Sequence, residues 1–240
     1  MQVNSILNNF KSSLVFGCGI SKRDCTDVIN GEFQNKRPDY KKDEFKYPKY
    51  NINPDFVLLK DKSKYGASDI AGQIHREKIA DNEVLYVVSN PKDNKSLGYA
   101  ILSFGDTNIM AGPVPKHLKD YFADAPYLKK IISYKFDDDG EELNLAGVGT
   151  NLVKCALKES IKTGHQGKLA VLACDTQNPF NAPTIFYHKL GFKFINDAKE
   201  EKINELEAEG NLTTEAALDK SINIGVMYLP KENIPRLLNA

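Results

Sequence analysis

The residues best suited to do chemistry form the run Asn144-Leu145-Ala146-Gly147-Val148-Gly149-Thr150. Two glycines there permit a tight turn and close backbone approach, and an amphipathic helix is expected from Thr150 to Thr163. Consecutive N–H groups and the positive end of a helix dipole then converge on one point. That combination suits a pyrophosphate, although glycines at a strand-to-helix turn can also serve only to turn the chain. Two other phosphate-binding patterns are excluded. There is no G-x-x-x-x-G-K-[ST], and the third glycine and trailing acidic residue of the dinucleotide fingerprint are missing.

Other candidates have less pattern behind them. His75, His117, His165 and His188 share no spacing that suggests a metal site or a triad, and His188 reads as a solvent-facing residue. Lys154, Lys158 and Lys162 recur every four residues, the wet side of a helix, with a contact to a 3′-phosphate as the alternative. Cys18, Cys25, Cys155 and Cys174 are scattered without metal-ligand spacing and read as reduced thiols of a cytoplasmic protein, so no metal is expected. Cys174 has no basic neighbour in sequence to acidify it. The acidic run Asp137 to Glu142 reads as a solvated turn.

The elements that must position the glycine run alternate. Asp55 to Lys60 is expected as a short strand and Ser68 to Ala80 as a helix capped by Ser68, with Asp69 in its first turn. Glu83 to Ser89 and Ser96 to Phe104 form a predicted hairpin across Asn90 to Lys95. A long connection, Gly105 to Ala125, holds a short helix at Pro115 to Phe122, and Leu128 to Asp137 returns as a strand. After the helix at Thr150 come a buried strand Lys168 to Cys174 and a helix Asn181 to Leu190. A helical insertion at 197–220 follows, in which Lys199 to Glu209 carries a thin stripe of Ile203 and Leu206, Gly210 stops it and Thr213 opens a second helix. Ile222 to Leu229 is the last strand. Residues 1–54 read as an N-terminal appendage and a Lys-, Asp-, Tyr- and Pro-rich connector, and 55–240 as the main domain.

The glycine run has a partner downstream, Asn178-Pro179-Phe180-Asn181-Ala182-Pro183-Thr184-Ile185-Phe186-Tyr187-His188-Lys189-Leu190-Gly191-Phe192. Together the two segments resemble the GNAT superfamily of N-acetyltransferases. The family's pattern is a strand, a (Gln/Arg)-x-x-Gly-x-(Gly/Ala) loop, a helix, a strand, and a helix ending near Phe-Tyr-x-Lys-x-Gly-Phe. The resemblance covers roughly 55–230. It implies an α/β (α+β) fold with a mixed, mostly antiparallel sheet splayed in the middle and flanked by helices. Acetyl-CoA is the implied cosubstrate, its pyrophosphate on the backbone of Leu145, Ala146, Gly147, Val148, Gly149 and Thr150.

By the same resemblance Tyr187 protonates the departing thiolate, a phenol near ~10 facing a thiol near ~8.5. Read from the residues alone, Phe186 and Leu190 are the buried face of its helix, and the alternative for Tyr187 is that it belongs to that same buried face. A neutral primary amine attacks the thioester directly, with a backbone N–H of the 168–175 strand able to stabilise the oxyanion. This chain departs from the pattern in four places. Asn144 stands where Gln or Arg is usual, and Ala146 where a basic residue is common. Phe180 occupies the pantetheine-contacting Asn position seven residues before Tyr187, flanked by Asn178 and Asn181, either of which could serve. The strand 128–137 has no carboxylate at its middle to act as base, leaving Asp137 or Glu142 through water.

Composition sets the bounds of function. Hydrophobic residues at 41% and charged residues at 27% suit a folded globular chain, and no apolar run approaches a membrane span. Lys plus Arg equals Asp plus Glu, 32 each, so no overall field draws nucleic acid, which also weighs against a toxin-type member acting on aminoacyl-tRNA. The expected partners are acetyl-CoA and an amine acceptor, a small molecule or a protein, and a homodimer stays open. The other reading is a non-catalytic CoA-binding or protein-interaction module on the same fold.

Overall fold

The structure, a computed structural model, describes residues 55–62, 68–91, 95–105, 114–134, 143, 145–176 and 178–239. The appendage and connector at 1–54, Asn144 and the acidic run Asp137 to Glu142 lie outside the described residues. The described chain is α/β and divides into two compact units, one holding 55–102 and 130–156, the other 103–129 and 157–239. The pairing is mixed: all the pairs described below are antiparallel except one.

In the first unit β1 (Asp55–Asp61), β2 (Ser68–Ala80), β3 (Glu83–Ser89) and β4 (Ser96–Ser103) follow one another in sequence and in space. A two-residue strand, β6 (Leu145–Ala146), pairs with β1 through Lys60 and Asp61. The hairpin Glu83 to Phe104 forms as expected, its turn closed by Asn90 N–H donating to Lys95 O at 2.8 Å.

The expected helix at Ser68 to Ala80 is instead the thirteen-residue strand β2. Antiparallel ladders to β1 on one side and β3 on the other outweigh its local helix signals. Gly72 shows how: a Cβ there would stand 3.0 to 3.2 Å from Leu59, Val57 and Val88, so the strand passes where a side chain has no room. A two-residue turn of Asp81 and Asn82, types that tolerate tight hairpins, joins Ala80 to Glu83.

Strand β5 (Tyr127–Ser133) and helix α2 (Val148–Lys162) each have residues in both units. In the second unit the 3-10 turn Lys116–Leu118 and α1 (Lys119–Phe122) precede β5, and Tyr127 pairs in parallel with Ala170 of β7 (Ala170–Ala173). Helix α3 (Pro183–Lys189), β8 (Lys193–Phe194), α4 (Asp197–Ala208), α5 (Thr214–Asp219), β9 (Gly225–Tyr228) and α6 (Ile234–Asn239) follow. Strand β9 lies between β7 and β8, antiparallel to both. The helical insertion at 197–220 is present as α4 and α5, capped by the side chains of Asn196 and Thr213. Ile203 and Leu206 are its buried stripe.

Leu118, Phe122 and Ala170 form a core packed by Tyr121, Ile195, Val226 and Tyr228. The Tyr121 hydroxyl locks β7 to β9. It accepts from Leu169 N–H at 2.8 Å and lies 2.8 Å from Leu229 O and 3.0 Å from Leu169 O. Tyr121→Phe leaves a buried N–H and a carbonyl without that partner. It should lower stability by about 1–3 kcal/mol in chemical denaturation, with secondary structure retained; an unchanged midpoint would contradict this role.

Candidate active site

The glycine run lies in the first unit. Leu145 and Ala146 form β6, Gly147 turns the chain with φ +98°, and α2 begins directly at Val148, two residues before the expected start. A Cβ at Gly147 would meet nothing closer than 3.6 Å, so the left-handed backbone, and not crowding, is what requires glycine there. The first helical bond runs from Asn151 N–H to Gly147 O at 2.9 Å. The N–H groups of Val148, Gly149 and Thr150 therefore precede any intrahelical acceptor. No acidic residue occupies that turn to claim them. The Asn151 amide donates to Leu58 O at 3.2 Å and to Gly147 O at 3.0 Å, fixing the turn to β1.

Tyr187 lies in the second unit, on α3, and is only 3% exposed. Its ring packs edge-on against Phe186 at 5.1 Å and Phe192 at 5.4 Å between centroids. Burial, with lesser effects from Cys174 and Tyr127, holds its phenol well above the ordinary range. The helix closes by a Schellman arrangement: Gly191 N–H donates to His188 O at 2.9 Å and Phe192 N–H to Tyr187 O at 3.0 Å. Gly191 carries φ +95°, and a Cβ on it would come within 3.0 Å of Asn233 Cβ. The Phe-Tyr-x-Lys-x-Gly-Phe pattern thus has a capping function of its own. Glycine reverses the chain, and Phe192 returns onto Tyr187.

Asn178 and Asn181 shape the turn between β7 and α3. Asp175 accepts from Asn178 N–H and from the Asn181 side-chain amide, both at 2.9 Å. Asn178 Oδ1 accepts from Phe180 N–H at 3.1 Å and Asn181 Oδ1 from Ala182 N–H at 2.9 Å. Both side-chain oxygens are thus engaged in local turn bonds. Phe180 is held on this turn 73% exposed.

Two expectations about α3 are corrected. His188 does not face solvent: it is 5% exposed, and its Nε2 lies 3.0 Å from Glu207 Oε2 of α4. Phe186 is half-buried, whereas Tyr187 and Leu190 are the deeply buried residues. A seven-residue helix covered on several sides has no wet face at His188. Sequence reasoning also missed the approach of His75 Nε2 to Ser89 Oγ, 2.9 Å apart across β2 and β3. Burial lowers the His75 pKa, and Ser89 is buried. Lys158 and Lys162 are exposed, and Lys154 and Cys174 are half-buried.

No protein-family model, curated protein or solved structure matches the chain. Among the described residues no group of three or more His, Cys, Asp or Glu could hold a metal ion, and no helix is long and apolar enough to cross a membrane.

Two outcomes follow from this geometry. Gly191→Ala should cost more stability than Gly210→Ala, because both positions have positive φ but only Gly191 is crowded. We expect about 1 kcal/mol at Gly210 and at least twice that at Gly191 by denaturant titration; equal losses would contradict the crowding.

The second concerns alkaline stability. An unfolded phenol ionises near ~10, and burial raises Tyr187 and Tyr121 above that, so the folded chain keeps protons that the unfolded chain releases. Stability should fall as pH rises past about 10, by about 1.4 kcal/mol per pH unit for each phenol, and Tyr187→Phe should flatten the slope. A slope identical in the variant would contradict the burial of Tyr187.

Proposed function

We propose that the chain is an acetyl-CoA-dependent N-acetyltransferase of the GNAT type, acting on a primary amine of a small molecule or of a protein. The observation that carries this reading is the left-handed turn at Gly147. It delivers β6 into the first turn of α2 with three N–H groups ahead of the first helical bond and no acidic side chain beside them. Such a turn fits the doubly charged pyrophosphate of CoA better than a neutral group. The Asn144 and Ala146 departures remove side-chain contacts and leave these backbone contacts intact.

Acetyl-CoA supplies the activated acyl group. The chain binds its diphosphate through the amides at 147–150, and Tyr187 donates a proton to the departing thiolate. The raised phenol keeps its proton throughout the working pH range. Desolvation that raises the phenol raises a thiolate beside it as well, so the proton transfer stays matched in direction. The amine must arrive neutral.

The second reading, a non-catalytic module on the same fold, draws on the capping account of Gly191 and Phe192 and on the local engagement of Asn178 and Asn181. These features serve the fold with or without chemistry. Thiol release from acetyl-CoA across a panel of primary amines separates the two. The enzyme reading predicts turnover, a loss of about a hundredfold in kcat for Tyr187→Phe with thermal stabilisation by acetyl-CoA retained, and loss of that stabilisation in Gly147→Val. Stabilisation by acetyl-CoA without turnover of any amine favours the second reading, and no stabilisation by any acyl-CoA removes both.

A further inference from the structure

Helix α3 has seven residues and no side-chain cap at its N-terminus, so its placement depends on what surrounds it. Among the described residues, three polar ties hold it. Thr184 Oγ1 donates to Ile222 O at 2.8 Å, His188 Nε2 lies 3.0 Å from Glu207 Oε2, and Asn233 Nδ2 donates to Gly191 O at 2.6 Å. The first ends just beyond α5 and the second on α4, so two of the three come from the charged segment around 197–222.

The His188 tie is the most exacting. The imidazole is buried, and among the described residues its Nδ1 has no hydrogen-bond partner. A carboxylate only accepts, so Nε2 carries the proton and donates to Glu207. The second carboxylate oxygen, Oε1, lies 3.8 Å from Arg236 Nη2 on α6, so one carboxylate is shared by α3, α4 and α6. Without Glu207 a buried N–H would have no acceptor, and the ring would have to turn toward water to find one. Tyr187 precedes His188 by one residue, about 100° around the same helix. Any rotation of α3 that exposes His188 swings the phenol with it.

We infer that Glu207 is a positioning residue for Tyr187: through His188 its carboxylate sets the rotation of α3 and so the direction in which the phenol points. This rests on the reading of Tyr187 as the proton donor. It gives the 197–220 insertion a role in catalysis without contact to the reacting atoms. The tie is specific in kind, since an acceptor at Glu207 is required and its negative charge is not. Glutamine supplies that acceptor, and alanine does not.

The test uses the full chain carrying 3-fluorotyrosine at position 187, with Glu207→Ala and Glu207→Gln. Glu207 is half-exposed, which makes both variants tolerable to the fold. The 19F resonance should move or broaden in Glu207→Ala and stay at the wild-type position in Glu207→Gln. With the amine that wild type turns over fastest, Glu207→Ala should lower kcat about tenfold with KM for acetyl-CoA unchanged, and Glu207→Gln should restore it. In a Tyr187→Phe background Glu207→Ala should have no further effect on kcat. A 19F resonance unmoved in Glu207→Ala overturns the inference, as does an equal loss of kcat in both backgrounds. A wild-type chain that turns over no amine overturns the acid role of Tyr187 itself, and the 19F resonance then still decides whether Glu207 holds that ring.

Discussion

The chain reversal at Gly191 is the constraint on which the rest of the second unit depends. With φ +95° the glycine ends α3 after seven residues and turns Phe192 back onto the ring of Tyr187. Its missing side chain also lets Asn233 approach, so the 3-10 turn before α6 can bond Gly191 O. From there the chain enters β8, whose Lys193 and Phe194 pair with Tyr228 and Met227 of β9. Strand β9 in turn pairs along the whole of β7. A side chain at 191 would strain the backbone and displace Asn233 together, and the seat of Tyr187 would be lost with them.

The glycine at 147 solves the opposite problem in the first unit. Gly191 closes a helix by satisfying its last carbonyls, whereas Gly147 opens one while leaving its first N–H groups ahead of any intrahelical acceptor. Backbone donors at a helix start are satisfied by caps, water or ligands, and α2 begins with no acidic side chain in its first turn. A cradle with fixed partial positive charge suits an anion, and a phenol kept protonated by burial suits a leaving thiolate.

Much of this was legible in the sequence wherever a short-range signal fixes an element. Thr213 marks the start of α5, Gly210 ends α4, and the turn at Asn90 to Lys95 separates two strongly β-forming runs, whereas the Asn196 cap that starts α4 at Asp197 lies two residues before the expected start. Ser68 to Ala80 was misread because Ile70 and Ile74 fit a helical period as well as a strand's. Only the ladders from β1 and β3, and the contacts that fill the place of a Gly72 side chain, decide between them. His188 was misread because its partner Glu207 lies nineteen residues away on another helix, and no local pattern announces a carboxylate over an imidazole. At Asn178 and Asn181 the residue type is legible, but not the turn bonds to Asp175, Phe180 and Ala182 that compete for the same atoms. Strand β6 and helix α6 are too short to leave a periodic signal.

The proposed acyl transfer depends most directly on which backbone groups meet acetyl-CoA. Titrating the 15N-labelled chain with acetyl-CoA and following amide shifts tests it without knowledge of the acceptor. The amides of Val148, Gly149 and Thr150 should show the largest shifts, CoA should reproduce them because they arise from the diphosphate, and pantetheine, which has no phosphate, should not. Saturable binding that leaves those three amides unmoved would contradict it.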